Sequence, residues 1–296
     1  MSLQLGVAIP NIFKHGNSFS QGLGSERKGN NFVVSKDGSG DFDNIQDAIK
    51  ASSNGTQIFI KNGTYLEKIP LDIKSDIKIQ GESLNTIIKL VVTTTSTELV
   101  KSYKKMTMRD LTIIADNTSE YTQNCMLWDL GADSEDIYFE NVTFKTIGQL
   151  NHLTKGIFSG TTGIKRLSFI NCNSKEVLFD GDFFLYATAT ITNLEITGGI
   201  MEVTNITSIE NSRISNMVTT SPLYLDVAVN CKITQNNVGD ELTLLSGCLR
   251  NTIHGNKATE MYINAGSNFN AVTGNLTDYP ISDSGTNNVL SGNVVY

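Results

Sequence analysis

The chain has 296 residues, 39% of them hydrophobic, and a formal net charge of -7. That is ample for a large core, and the acidic balance argues against nucleic acid, whose phosphates need a basic face. No stretch approaches the roughly 18 consecutive apolar residues of a membrane span.

Residues 1–31 show no periodicity and are punctuated by Gly6, Pro10, Gly16, Gly22, Gly24 and Gly29, which predicts an irregular N-terminal arm. Met1 to Lys14 lack the basic start and apolar run of an export signal. A body spanning 32–296 opens with a short strand at Phe32-Val33-Val34 and a glycine-rich turn at Gly38-Ser39-Gly40. That turn lacks the lysine and spacing of a phosphate loop. A helix follows. Asp43 with Gln46 three residues on has the capping-box pattern, Ile45, Ala48 and Ile49 share one face, and Gly55 is placed to close the helix. A short amphipathic helix ahead of a stack of strands serves as a cap over apolar side chains and open strand edges.

From there one phrase recurs: an apolar alternation, a polar or glycine bend, and a second apolar alternation. Ile137-Tyr138-Phe139-Glu140-Asn141-Val142-Thr143-Phe144 is its fullest form. Its leading apolar residues are Ile60, Ile79, Met108, Phe139, Phe169, Ile196, Ile214, Ile233, Ile253, Val272 and Leu290. Subtracting each number from the next gives steps of 19, 29, 31, 30, 27, 18, 19, 20, 19 and 18. Steps near 20, with strand and bend repeated, are the signature of a solenoid. Leucine-rich repeats would place leucines at fixed positions, and these are absent. The pattern predicts an all-β chain, a right-handed single-stranded parallel β-helix of about eleven coils with an N-terminal α-helical cap. With each coil about 4.8 Å above the last, the rod is roughly 50 Å long.

The opening, Lys36-Asp37-Gly38-Ser39-Gly40-Asp41-Phe42 through Ile45-Gln46-Asp47-Ala48-Ile49, then Ile58-Phe59-Ile60-Lys61-Asn62-Gly63-Thr64-Tyr65 and Ile77-Lys78-Ile79-Gln80-Gly81, resembles that of pectinesterases and the wider pectin-lyase-like family. The resemblance implies the right-handed parallel β-helix. It does not extend to chemistry. The pectinesterase catalytic motifs are absent, and Asp182-Phe183-Phe184-Leu185 echoes one of them without its glycine. None of His15, His152 and His254 sits between glycines as in polygalacturonases. Arg166 and Arg213 lack the accompanying motif of a pectate lyase.

Two zones follow from the step lengths. Coils over about 79–196 carry some ten residues beyond the minimum, and coils over about 196–296 carry almost none. Spare residues in a solenoid become loops, often on one face and often functional. The late coils repeat Asn251 to Asn256, Asn270 to Asn275 and Asn288 to Asn293, which predicts stacked asparagine ladders. Cys125, Cys172, Cys231 and Cys248 show no metal spacing and read as buried thiols, and no metal or cofactor is expected.

Candidate site residues lie in the long coils. Asp180 and Asp182 on one strand would share a face about 6.6 Å apart along the chain. That falls at the short end of the 6.5–9.5 Å used by inverting glycosidases. With Asp129 they are the candidate catalytic carboxylates. Trp128, the only tryptophan, together with Tyr186, Asp133, His152 and Lys155, completes a candidate sugar-binding set. The alternatives are a packed anchor for Trp128 and a solvated acidic loop for the carboxylates. The arm, loop-bearing middle coils and spare late coils also resemble those of phage tail-spike β-helices. That resemblance implies a polysaccharide or cell-surface glycan as partner, a homotrimer, and a place on a virion or outside a cell. A secreted pectin-active enzyme and a non-catalytic adhesin are the alternatives. Val294-Val295-Tyr296, directly after a coil with no closing helix, also points to an assembly.

Overall fold

The computed structural model describes residues 31–73, 76–92, 98–102, 104–118, 126–131, 134–148, 150–151, 158–160, 164–177, 179–180, 184–187, 190–201 and 205–296. Apart from Asn31, the N-terminal arm lies outside these residues, as do Cys125, Asp133, His152, Lys155 and Asp182.

The chain winds as a right-handed parallel β-helix, in which each coil returns to add a parallel strand to the one before. Three sheets run along the axis. Sheet 1 begins at Asn31–Val34 and Gln57–Ile60, continues through Ile77–Gly81 and Leu167–Ile170, and ends at Val289–Ser291. Sheet 2 runs from Gly63–Glu67 and Thr86–Val91 to Leu276–Thr277 and Val294–Val295. The 12-residue strands Lys105–Asp116 and Asp136–Ile147 belong to both sheets, bending at Asp110 and Asn141. Sheet 3 carries Leu71–Ile73, Glu98–Ser102, Met126–Leu130, Phe158–Gly160, Leu185–Ala187 and their successors to Ser282–Asp283.

The expected register holds from the second coil onward. Ile79 pairs with Met108, Met108 with Phe139, Phe139 with Phe169, and so on through Val272 with Leu290. At the first coil Ile58, not Ile60, pairs with Ile79. Ile58 and Ile60 are two apart and both buried, so alternation alone does not distinguish them.

The corner between sheets 1 and 2 is held by a left-handed residue in successive coils: Asp110, Asn141, Asn171, Gly198, Asn216, Gln235, Gly255, Gly274 and Gly292. This is why the phrase needs Asn or Gly at its bend. Just after the corner the late coils stack buried asparagines. The Asn256 Oδ1 accepts from both the backbone N–H and the side-chain amide of Asn236, and its own amide donates to Asn275 and to the Ile233 carbonyl. Asn251, Asn270 and Asn288 form a parallel ladder at the opposite end of sheet 1. Both ladders satisfy backbone groups that the turns would otherwise leave buried and unpaired.

In the middle coils the core is aromatic. Phe139 stacks on Phe169 at 5.1 Å and 9°, with Trp128, Phe144 and Phe158 packed edge-on around it. The cap helix spans Ile45–Ala51 and buries Ile45, Ala48 and Ile49. Its N-cap is Asn44, whose side chain accepts from the Asp47 N–H, so the expectation of Asp43 is corrected by one residue. The Asp43 carboxylate instead accepts from the Asn44 side-chain amide. The buried Glu67 carboxylate from the first coil accepts from the Ile45 and Gln46 N–H groups, tying the cap to the stack. The helix closes at Ser52 rather than at Gly55, which takes a left-handed turn further on.

Candidate functional site

The outer face of sheet 1 carries the residues that alternate with the core. In one row Val33, Phe59, Gln80, Arg109 and Glu140 stack coil upon coil, and in a second row Gln57, Lys78, Thr107 and Tyr138 do the same. Together they line a groove of about 420 Å³ open to solvent. Phe59 offers its ring there at 36% exposure, and the half-buried Tyr138 stands two coils above Lys78. Between these rings lies an ionic cluster. The Arg109 Nε donates to Asp110 at 3.0 Å, and its guanidinium stands 3.8 Å from Glu140. Gln80 also donates to Asp110, and Asn141 donates to its other oxygen. Burial, reinforced by the Glu140 charge, pushes the Tyr138 phenol above its ordinary value, so it is neutral and a hydrogen-bond donor at pH 7. Aromatic faces beside fixed planar donors and acceptors suit a ligand with alternating C–H faces and hydroxyl edges.

The corner residues separate this groove from a second one of about 610 Å³, bordered by Leu84 and Ile200 and floored by Thr143 and Asn173. Its polar wall is the ascending row Asp110, Asn141 and Asn171. The Cys172 thiol at its base is pushed up to about 12 by burial, which leaves it protonated and unreactive. Cys231 and Cys248 are likewise buried free thiols.

The sequence-derived candidates fall elsewhere. Asp129 and Tyr186 are brought together on the outer face of sheet 3, each one strand from Ser159 and on opposite sides of it, with Lys101 beneath Asp129. Asp180 sits on a two-residue strand paired with Leu150–Asn151, off sheet 3. Asp133, His152, Lys155 and Asp182 lie outside the described residues. Trp128 is corrected: the ring is fully buried, stacked near Phe158 and edge-on to Phe139, and its indole N–H donates to Ser102. It anchors the core and presents no face to a sugar. The sequence reading did not find Phe59, Arg109, Tyr138 and Glu140 as a set. The usable signal is their position as outward residues of the phrase, each one place from a coil leader, in the first, third and fourth coils. Among the described residues no group of three acidic, histidine or cysteine side chains is placed to hold a metal ion.

Stacked single parallel strands in three axial sheets decide the architecture. The fold is that of the pectin-lyase-like parallel β-helices. No family profile and no curated protein matches the chain. Among solved structures it is similar to the ORF18 protein of Geobacillus virus E2, at 13% identity and TM-score 0.45, over 84% of this chain and 57% of that one. The chain thus spans less than two thirds of the viral protein. It is also similar to PfbA, a surface adhesin of Streptococcus pneumoniae, at 12% identity and TM-score 0.46, over 84% and 87% of the two chains. Tailspike protein 3 of bacteriophage CBA120 matches at 13% identity and TM-score 0.32, over 83% of this chain and 56% of that one.

Proposed function

We propose that the protein is a surface glycan-binding β-helix of the tail-spike or adhesin kind, working as a homotrimer on a virion or outside a cell. The observation that carries this reading is the groove on sheet 1, where Phe59 and Tyr138 flank the Arg109–Glu140 pair. One sugar ring stacks on Phe59, and the rings that follow along the glycan meet Gln80, Arg109 and the Tyr138 phenol on the next three coils. Every carboxylate of that groove and its rim is engaged by a cation or amide, which favours recognition over proton transfer there. If the protein also cleaves its glycan, the candidate carboxylates for it are Asp129, on sheet 3, with Asp180 and Asp182.

The test is binding to a panel of bacterial capsules and pectins, with reducing ends and unsaturated products read in parallel. Phe59→Ala is expected to weaken binding of the recognised glycan about tenfold, the scale of one aromatic contact. Glycan bound with unchanged affinity by Phe59→Ala and Arg109→Ala refutes the groove. Product that disappears in Asp129→Asn with binding retained supports cleavage at sheet 3.

A further inference from the structure

The three outer faces of the rod differ in a way the glycan site does not account for. Sheet 2 carries one outward-directed row, Thr64, Ile87, Thr112, Thr143, Asn173, Ile200, Val218, Asn237, Lys257, Leu276 and Val294, of which Thr112 is covered, its hydroxyl bonded to the Leu84 carbonyl. Beside it in the long coils stand Leu66, Lys89, Ile114, Lys145 and Glu176. Leu66 is 63% exposed, Val218 40%, Ile147 40% and Ile200 37%. Among the described residues, none of the large exposed hydrophobics lies on a strand of sheet 3.

Charge separates the faces as well. Among the described side chains of sheet 2 the outward charges are Lys89, Lys145 and Lys257 against Asp116 and Glu176, three positive and two negative. Lys89 is bonded to Asp116 and Lys145 to Glu176 within the chain. The strands of sheet 3 instead carry Asp72, Glu98, Asp129, Glu241, Glu260 and Asp283 against Lys101 alone among the described residues, and Lys101 is bonded to Glu98. Two copies of a chain with net charge -7 repel each other, least where the approaching surfaces are near neutral. Eleven stacked residues at about 4.8 Å make a face roughly 48 Å long. At three to four residues wide in the long coils and two in the late ones, it offers on the order of 400–500 Å², somewhat over half of the roughly 800 Å² per partner of a stable interface.

We propose that the outer face of sheet 2 is the surface through which copies of this chain associate side by side, with their axes aligned. The occupant is a second copy because the face runs the length of the rod, is nearly neutral and carries Ile87, Ile200, Val218, Leu276 and Val294 at intervals along it, matching another rod rather than a compact partner. This inference rests on the homo-oligomer reading above. It leaves the sheet 1 groove facing outward from the assembly.

The experiment is light scattering and sedimentation equilibrium on the full chain at micromolar concentration. Wild type is expected as an oligomer. Val218→Lys combined with Leu66→Lys is expected to move the mass to that of the monomer. Asn237→Glu, which removes no apolar contact, is expected to weaken association at least tenfold. Asp72→Lys, at an exposed position on sheet 3, is expected to leave the oligomer intact. Circular dichroism of each variant checks that the coil stack is kept. A wild-type oligomer that persists in both sheet 2 variants, or that Asp72→Lys dissociates, overturns the assigned face and leaves the assembly standing. A monomeric wild type overturns both.

Discussion

Replacing Asn256 by alanine removes one rung from the middle of an asparagine ladder. Asn256 is 1% exposed, with Asn236 on one side and Asn275 on the other. Its Oδ1 is the acceptor for the Asn236 backbone N–H at 3.0 Å and for the Asn236 side-chain amide at 2.9 Å. Its Nδ2 donates to the Ile233 carbonyl at 2.8 Å. Alanine orphans the buried Asn236 N–H, which costs about 1–3 kcal/mol, and deletes further amide bonds worth about 0.5–1.5 kcal/mol each. The expected loss is about 2–5 kcal/mol. Asn293 occupies the same ladder in the last coil, where it accepts the same pair of bonds from Asn275 and donates to the Val272 carbonyl but is only half buried. Water reaches that end and replaces the lost acceptor, so Asn293→Ala should cost about 1 kcal/mol or less. Urea unfolding followed by circular dichroism reads the difference as a shift in midpoint at constant slope. Equal losses at the two positions, or a loss below about 1 kcal/mol at Asn256, would refute the view that the ladder satisfies buried backbone groups.

Phe139→Ala, at the centre of the aromatic stack, is expected to cost about 3–5 kcal/mol, checked by the same unfolding assay. Burial alone would raise the Asp116 carboxyl, but bonds from Lys89 and Thr118 bring it below the usual carboxylate range. Its stabilising contribution is therefore present above the unfolded carboxyl value near pH 4 and is lost as pH falls through the lower folded value. Asp116→Asn should flatten the loss of stability as pH falls below about 4, measured by thermal unfolding in acid. Trp128→Phe should lower stability through the lost bond to Ser102 while leaving glycan affinity unchanged within twofold, measured by calorimetry.

Coil number, register and the corner residues were legible in the chain because a solenoid repeats one local problem. Each coil must turn at the same place, so Asn or Gly recurs at the left-handed corner, and each strand must bury the same side, so Ile, Phe and Val recur at the leading position. The asparagine ladders were legible for the same reason. Trp128 was not, because two consecutive residues, Leu127 and Trp128, are both buried, and alternation predicts that one of them faces out. The N-cap moved by a residue because Asp43 and Asn44 are both competent caps, and only the path of the chain into the helix selects between them. The groove on sheet 1 was beyond the chain alone. Phe59, Arg109 and Tyr138 are separated by 50 and 29 residues and meet only because the intervening coils close on the axis. Local pattern determines which side of a strand a residue takes. Which outward residues become neighbours depends on coil length and on where each corner falls, and these are settled only when the whole stack is built.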